Sequence, residues 1–239
     1  MIDQYTGITK YYDLLMKSGY YDYQSLAEDA HSIIGNGCQI LELGVGTGLL
    51  VEKYIELDPS CEFTGVDITP SMLDIAKERL GNQAKLIEAD AVTMNLNATF
   101  NVAISNGGVW GILDLGDQWE FGGHVPGFEA NFQGLANLAN HLRTGGLLLL
   151  YLQKPHKNFE KHLPGGIVYS QFLEEGEDRT DHYTLNKSYF FKKDGEVLVQ
   201  EQIEITCFRP ETSRKILREA GFDFQGNSNG GLFAIYTKR

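Results

Sequence analysis

Short apolar runs separated by amphipathic stretches fill the first two thirds of the chain. Each run has the length of a buried strand, and the stretches between them repeat apolar residues at helical spacing. The runs lie at residues 39–43, 61–66, 85–89, 100–105 and 147–152, and the clearest amphipathic stretches lie at 49–57, 70–80 and 128–142. Strands that alternate with helices in this way are typical of a doubly wound, Rossmann-like α/β fold built on a parallel sheet.

The pattern changes to period two after residue 166. The alternating segments are 167–172, 182–192 and 196–208. Asp194-Gly195, between the last two segments, is a strong hairpin signal. We therefore expect a small antiparallel sheet, inserted ahead of a last helix at 211–220 and final strands at 222–224 and 231–236. The stretch from Leu113 to Val125 shows no clear period and is predicted to be a loop.

Tyrosines are dense near the start of the chain, and apolar residues recur there at helical spacing up to Gly35. This pattern predicts two helices that cover the core. The whole chain is interpreted as one domain, 1–239. Its predicted parts are a helical lid at 1–35, a core at 36–152, an antiparallel β insertion at 160–208, and the last helix and strands at 209–239.

A glycine-rich turn follows the first apolar run and leads directly into an amphipathic segment. Gly44, Gly46 and Gly48 make the turn, and the following helix offers free N–H groups and a partial positive charge to a polar or anionic ligand. Asp67 ends the second run, 19 residues after Gly48. In a nucleotide-binding βαβ unit, such an acid accepts hydrogen bonds from ribose hydroxyls. A sharp chain reversal without a ligand is the alternative explanation of the glycines.

Four pieces of the sequence, at 42–48, 65–73, 88–91 and 144–148, together resemble the class I S-adenosylmethionine-dependent methyltransferases. The resemblance covers roughly residues 20 to 152. It implies a seven-stranded sheet whose last strand is antiparallel, with S-adenosylmethionine as cofactor and S-adenosylhomocysteine as product. The cofactor-binding residues that it implies are Tyr12, Tyr23, Glu42, Gly44, Gly46, Gly48, Asp67, Ile68, Met72, Asp90, Ala91, Ser105 and Asn106. Asn101 departs from the family, which usually has Asp there.

The roles implied by this resemblance divide along the cofactor. The three glycines would admit its amino-acid half, Asp67 would bind the ribose, and Asp90 would bind the adenine amino group. Tyr12-Asp13, Asp22-Tyr23 and the inserted antiparallel sheet are similar to features of bacterial amino-sugar N-methyltransferases. In that subgroup, Tyr12 and Tyr23 would lie over the methionine half, and the acceptor would be a small-molecule amine.

Methyl transfer from a sulfonium is an in-line displacement, so positioning and desolvation supply much of the acceleration. An amine needs only a weak proton acceptor, whereas a hydroxyl usually needs a base. His124 is the best-placed candidate base, with solvent exposure as the alternative. Trp110 and Trp119 either stack on the acceptor or fill core. Asp114, Asp117 and Glu120 either attract a cationic amine or form a solvated acidic loop.

The net charge of −12 and the absence of basic clusters disfavour a nucleic-acid partner. Three widely spaced cysteines favour a reduced, cytoplasmic setting, and we expect no signal peptide and no membrane span. His156 and His162 lack a third ligand at metal spacing, so no metal is expected. The β insertion would form either a homodimer interface or a wall of the acceptor pocket.

The sequence therefore predicts an enzyme that methylates a small molecule, with nitrogen favoured as the acceptor atom. O-methylation of a small metabolite is the first alternative, and a non-catalytic cofactor-binding sensor or partner subunit is the second. An oxidoreductase on the same fold is disfavoured, because the glycine spacing is G-x-G-x-G instead of the dinucleotide-binding G-x-G-x-x-G.

Overall fold

The computed structural model describes residues 5–239. Its α-helices are α1 (Thr9–Leu15), α2 (Tyr23–Ile34), α3 (Leu49–Leu57), α4 (Pro70–Leu80), α5 (Phe128–Asn140) and α6 (Pro210–Glu219). Its strands are β1 (Gln39–Leu43), β2 (Glu62–Asp67), β3 (Ala84–Glu88), β4 (Phe100–Ser105), β5 (Trp110–Asp114), β6 (Trp119–Gly123), β7 (Leu142–Gln153), β8 (Phe159–Leu163), β9 (Ile167–Asp178), β10 (His182–Lys193), β11 (Glu196–Phe208), β12 (Phe222–Asn227) and β13 (Phe233–Lys238). A π-helical turn, Met16–Tyr20, joins α1 to the segment before α2.

The core is a twisted mixed sheet with helices packed on it, which confirms the predicted α/β class. Strands β3, β2, β1, β4 and β7 are parallel neighbours in that order. Strand β13 runs antiparallel to β7, and β12 pairs with β13. The parallel strands are apolar on both faces because helices cover them, as the short unbroken apolar runs predict.

The antiparallel strands β8 to β11 belong to the same hydrogen-bonded sheet as the core. Cys207 and Thr206 of β11 pair with Gly122 and Gly123 of β6, and β5 pairs in turn with the end of β7. The sheet therefore has 13 strands, where the sequence analysis expects seven strands and a separate insertion. On β6 the joining residues are glycines without side chains, so the hydrophobic pattern of that strand gives no sign of the junction.

The prediction of a loop from Leu113 to Val125 is wrong. Strands β5 and β6 form a hairpin in this region, closed by a hydrogen bond from the Leu115 N–H to the Gln118 carbonyl. Both strands are buried along nearly their whole length. A strand that is buried on both faces shows no alternation of apolar and polar residues, which is why the period-two pattern is missing here.

The N-terminal helices pack against the antiparallel strands. Ile8, Leu15 and Met16 belong to one apolar cluster with side chains of β9, β10 and β11. Tyr11 stacks on Phe191 with ring centroids 5.2 Å apart. The space between the N-terminal helices and the carboxyl ends of the parallel strands is thereby closed on one side. None of the helices within residues 5–239 is long and apolar enough to cross a membrane.

A buried carboxylate ties α2 to the last hairpin of the chain. Asp29, which is 7% exposed, accepts hydrogen bonds from the Ser228 hydroxyl at 2.5 Å, the Gly230 N–H at 2.9 Å and the Leu232 N–H at 3.1 Å. These groups lie about 200 positions away in the sequence, as the separations of 199 to 203 residues show. Asp29 therefore joins the first and last parts of the fold.

Replacing Asp29 with Ala should lower the free energy of unfolding by about 2–4 kcal/mol, because buried N–H donors lose their acceptor. Glu28→Ala is the control, since Glu28 on the same helix bonds only the exposed Gln24 side chain. Urea unfolding of the two variants tests this prediction. An equal loss of stability in both would contradict it.

Candidate active site

A cavity of about 330 Å³ lies at the carboxyl ends of the parallel strands. In open α/β sheets this edge is where ligands bind, because the loops that leave neighbouring strands meet there. Four segments form the main cavity: the glycine turn after β1, the end of β2, residues 89–92 after β3, and residues 107–109 after β4. Tyr12 of α1 and residues 124–126 close it from the other side.

The glycine turn has the backbone that the sequence predicts. Gly44, Gly46 and Gly48 have φ values of 68°, 55° and 80°, which other residues rarely adopt. The N–H groups of Gly44 and Val45 donate to the Val66 carbonyl at 2.9 and 3.0 Å. These bonds fold the turn against the end of β2, so that Gly44 and Gly46 line the main cavity.

Gly48 serves packing and does not line the cavity. A Cβ atom on Gly48 would lie 2.8 Å from Leu80 Cδ1, so a side chain there would displace the Leu80 side chain and would be strained at a φ of 80°. Gly44 is constrained in a similar way, because a Cβ atom on it would lie 2.7 Å from the Gly108 Cα atom. The turn after β1 and the turn after β4 therefore touch backbone to backbone.

Asp67 presents a buried carboxylate to the main cavity. It accepts hydrogen bonds from the Gly46 N–H at 2.8 Å and the Thr69 N–H at 2.9 Å, which fix its orientation. Burial raises the pKa of Asp67 above its usual value, and the backbone hydrogen bonds oppose that shift. A carboxylate held this way retains lone pairs for the hydroxyl groups of a ligand.

An apolar slot extends from Asp67 toward α5. Its side chains are mostly aliphatic and come from the segments after β2 and β3 and from the segment before α5. They are Ile68, Met72, Ala91, Val92, Val125, Pro126 and Ala130. Asp90 lies at its rim, where one carboxylate oxygen accepts the Val92 N–H at 2.8 Å. The slot suits a flat, largely apolar ring with polar edges.

Eight of the predicted cofactor residues line the main cavity: Tyr12, Gly44, Gly46, Asp67, Ile68, Met72, Asp90 and Ala91. The other five do not: Tyr23, Glu42, Gly48, Ser105 and Asn106. The Ser105 hydroxyl instead donates to the Trp110 carbonyl at 2.7 Å and accepts from the Trp110 N–H at 2.9 Å. Glu42 is buried, and burial first and the charge of Asp67 second raise its pKa well above the usual value.

Helix α1 is fixed to the glycine turn by an ion pair. Asp13 accepts a hydrogen bond from the Thr47 hydroxyl at 2.7 Å and pairs with Arg79 of α4. Arg79, only 8% exposed, also donates to the Thr47 carbonyl and lies 3.4 Å from Glu52. Burial alone would raise the pKa of Asp13, but the Thr47 hydroxyl and the Arg79 charge lower it below its usual value. This contact holds Tyr12 over the main cavity.

A second, smaller cavity of about 50 Å³ opens beside the main one, and we call it the inner chamber. Tyr5, Tyr12, Gly107, Gly108, Val109 and His124 form the boundary, most of them lining both spaces. Five tyrosines line the chamber: Tyr5, Tyr12, Tyr20, Tyr21 and Tyr189. Burial raises the pKa of each of them above its usual value, so their hydroxyls stay protonated at neutral pH.

His124 lies at the junction of the two cavities. Its Nδ1 is 3.0 Å from the Gly108 carbonyl, which only accepts, so Nδ1 carries the proton. Burial first, and the charge of Lys187 second, lower the pKa of His124 to about 4. The ring is therefore neutral at physiological pH, with a lone pair on Nε2. Nε2 makes no hydrogen bond to any residue from 5 to 239.

Lys187 and His156 lie at the inner chamber with His124 and Gln153. The Lys187 ammonium is 3.3 Å from the Tyr20 hydroxyl and 3.4 Å from His156 Nδ1, and it lies over the Tyr189 ring, 4.8 Å from its centroid. Burial lowers the pKa of Lys187 to about 7. Burial and the Lys187 charge lower that of His156 to about 3.

The two tryptophans do not line the main cavity. Trp110 has no exposed surface, and its indole N–H donates to the Asn131 side chain at 2.8 Å in the core. Trp119 packs against Phe224 and Tyr236 and lines a separate groove. Trp110 is thus a buried core residue that also lines the inner chamber, whereas the Trp119 ring lies away from both cavities.

The three acids of the β5–β6 hairpin also lie away from both cavities. Asp114 pairs with Lys154, and Asp117 lines the groove beside Trp119. Glu120 is buried and accepts the Tyr183 hydroxyl at 2.6 Å. None of these carboxylates is placed to attract a cationic amine into the inner chamber.

Four residues that the sequence analysis did not single out shape the site: Tyr5, Arg79, Gly108 and Lys187. The Gly107-Gly108 pair after a parallel strand was a usable signal, because glycine allows close backbone approach. The sequence carries no such signal for Arg79 and Lys187, because a basic residue in a helix or strand is usually solvated.

Comparison with known proteins supports the interpretation of the site. The family profile described as "Methyltransferase domain" matches residues 40–121, which include the glycine turn, Asp67 and Asp90. The malonyl-acyl-carrier-protein O-methyltransferase of Bacillus anthracis is 26% identical over 228 residues, which cover 83% of this chain and 78% of that protein.

Two solved structures share the fold. An amino pentose methyltransferase from Micromonospora echinaspora, solved with S-adenosylmethionine, superposes with a TM-score of 0.69 at 17% identity, over 95% of this chain and 96% of that one. The sugar N-methyltransferase of a Streptoalloteichus species gives a TM-score of 0.66 at 17% identity, over 95% of this chain and 92% of that one.

Residues 40–121 thus form a methyltransferase domain, a relative along most of the chain is a methyltransferase, and the solved structures show that the chain has the fold of S-adenosylmethionine-dependent methyltransferases. It is an enzyme that transfers a methyl group from this cofactor to a small-molecule acceptor, with S-adenosylhomocysteine as the second product.

Replacing Arg79 with Met should weaken S-adenosylhomocysteine binding roughly tenfold, about 1.4 kcal/mol, because α1 loses its ion pair to the glycine turn. Calorimetric titration below the melting temperature measures the affinity. Lys17→Met is the control: Lys17 is 56% exposed and lies 3.4 Å from the same Asp13 carboxylate. Comparable affinity losses in the two variants would show that the buried pair has no special part in binding.

Proposed function

We propose that the protein N-methylates a small-molecule amine that binds in the inner chamber. One observation carries this proposal: the main cavity adjoins a smaller chamber at His124, whose imidazole is neutral. The chamber is too small for a macromolecule, but it admits the reactive end of a metabolite. The structural relatives named as amino pentose and sugar N-methyltransferases support nitrogen as the acceptor atom.

The lining of the main cavity offers suitable partners to each part of the cofactor in turn. Its amino-acid half would lie against Gly44 and Gly46, its ribose hydroxyls would donate to Asp67, and its adenine would fill the apolar slot with Asp90 at the amino edge. When bound, the cofactor supplies a methyl group on a positively charged sulfur. The chain's part is to hold that methyl group at the junction with the inner chamber and to exclude water from it.

His124 suits an amine better than an alcohol. The lone pair on Nε2 can accept a hydrogen bond from an amine N–H and so direct the nitrogen lone pair toward the methyl carbon. The neutral amine then attacks: the N–C bond forms as the C–S bond breaks, the C–S electrons pass to sulfur, and the methylated nitrogen leaves as an ammonium ion that exchanges its proton with solvent. A base with a pKa near 4 is too weak to deprotonate an alcohol at neutral pH.

An oxygen that is already ionised is the second candidate acceptor, because it needs no base. The positive charge of Lys187 at the inner chamber favours it, and so does the relation to a malonyl-acyl-carrier-protein O-methyltransferase. The non-catalytic alternative predicts cofactor binding without turnover. A single domain, a cytoplasmic location and a homodimer through strands β8 to β11 remain predictions.

Transfer of a labelled methyl group from S-adenosylmethionine to a small-molecule extract of the source cells tests the function. A labelled compound should form with the native protein and not with Gly46→Arg, whose side chain would enter the main cavity. Gly81→Arg is the control, since Gly81 has a φ of 54°, like the 55° of Gly46, but faces open space. Cofactor binding by folded Gly46→Arg would refute the assigned site.

The bond to the new methyl group distinguishes the two acceptor atoms. An N-methyl product resists mild alkaline hydrolysis, whereas a methyl ester releases labelled methanol. Release of labelled methanol would show that the acceptor atom is an ionised oxygen and not a nitrogen.

Replacing His124 with Ala should lower kcat roughly 10- to 100-fold, because the amine loses its hydrogen-bond acceptor. Affinity for S-adenosylhomocysteine should change little, since the glycine turn and Asp67 are intact. His162→Ala is the control on an exposed position of β8. An unchanged kcat in His124→Ala would remove His124 from the reaction.

A further inference from the structure

The inner chamber holds the buried amine of Lys187, and no carboxylate among residues 5–239 neutralises it when it is protonated. Lys187 is 2% exposed, and it forms no salt bridge with any Asp or Glu among residues 5–239. None of the described residues that line the chamber is acidic. Buried charges are normally paired, because removing an ammonium group from water is costly. An unpaired lysine at the end of a cavity therefore needs a separate explanation.

The surroundings of Lys187 compensate its charge only in part. Two of its three N–H donors face the Tyr20 hydroxyl and His156 Nδ1, at the long distances of 3.3 and 3.4 Å. The faces of the Tyr189 and Tyr20 rings add a weaker attraction, at 4.8 and 5.9 Å from the ring centroids. Glu201 lies opposite Tyr189 on the neighbouring strand, but it accepts the Tyr5 N–H and forms no salt bridge with Lys187.

We propose that Lys187 binds a carboxylate group of the methyl acceptor, with Tyr20 and Gln153 as further donors at the same end of the inner chamber. This inference rests on the proposed function, because it takes the inner chamber to be the acceptor site. A carboxylate presents two acceptor oxygens to these donors and is compact, as a chamber of about 50 Å³ requires. The substrate class is thus an amino acid or another acid that carries the methylated atom a short distance from its carboxylate.

The same arrangement explains why the nearby histidines stay neutral. The charge of Lys187 contributes to the lowered pKa of both His124 and His156. A bound carboxylate would face a cation and neutral hydrogen-bond donors, with no competing acid on the described walls. A cationic amine without an acid group would instead be repelled by Lys187. The chamber therefore selects for an acid group as well as for size.

Acetate and acetamide are suitable probes, because they have nearly the same shape and differ in charge. Protein saturated with S-adenosylhomocysteine is titrated with each, and binding is followed by nuclear magnetic resonance. Acetate should bind saturably, and acetamide at least roughly tenfold more weakly. Lys187→Met should weaken acetate binding at least tenfold. Lys192→Met should not, because Lys192 of the same strand lies over the Phe172 and Phe190 rings, away from the chamber.

The stability of Lys187→Met separates a binding role from a structural one. Removing an unpaired buried charge should leave the melting temperature unchanged or raise it. Loss of acetate affinity in a protein of equal or greater stability supports the proposal. Equal binding of acetate and acetamide by the native protein would overturn it, and so would full acetate affinity in Lys187→Met. With the true acceptor, the variant should raise KM; a fall in kcat alone would contradict carboxylate binding.

The labelled product of the methyl-transfer experiment distinguishes failure of this inference from failure of the proposed function. The unmethylated acceptor, once named from the product's mass and fragmentation, should contain a free carboxyl group. If a product forms from an acceptor without a carboxyl group, the proposed function stands and this inference fails. If no extract yields a labelled product, the proposed function itself fails.

Discussion

The contact between the two glycine turns is the constraint on which the site depends. A Cβ atom on Gly108 would lie 2.5 Å from the Gly44 carbonyl oxygen, so neither turn has room for a side chain. This approach brings the ends of β1 and β4 together at backbone distance. It places Gly107 and Gly108 between the main cavity and the inner chamber, and it positions the Gly108 carbonyl that fixes the His124 tautomer. Backbone therefore forms one side of the boundary at which methyl transfer would occur, opposite the side chains of Tyr5, Tyr12 and His124.

The sequence predicted the parts of the site that depend on neighbouring residues. The glycine turn, Asp67 and Asp90 each follow a buried strand, and parallel strands place their carboxyl ends along one edge. Local pattern was enough for these residues, because the strand itself determines where they lie. The same reasoning assigned Gly48 and Ser105 to the cofactor site, although neither lines the main cavity. Gly48 packs against α4, and the Ser105 hydroxyl bonds backbone at the start of β5.

Residues whose role depends on distant partners could not be predicted. Arg79 pairs with Asp13 across 66 residues, and Lys187 contacts Tyr20 across 167. Both are unremarkable in sequence, and only the fold shows that they are buried. The β5–β6 hairpin was missed for a related reason, since burial on both faces removes the alternation that indicates a strand. One consequence is that the acidic residues of that hairpin were considered as groups that attract a cationic amine to the acceptor site, from which they lie away.

The long antiparallel strands reach the core through few contacts. Strand β11 pairs with β6 only at Cys207 with Gly122 and Thr206 with Gly123. The glycine turn and Asp67 lie on the other part of the sheet, beyond β4 and β7. Substitutions on β9 and β10 can therefore remodel one cavity while the other keeps its shape. In evolutionary terms, the parallel strands with the methyl-donor site and the antiparallel strands beside the inner chamber form separable modules. Related proteins can therefore change the compound that they methylate without changing the methyl-donor site.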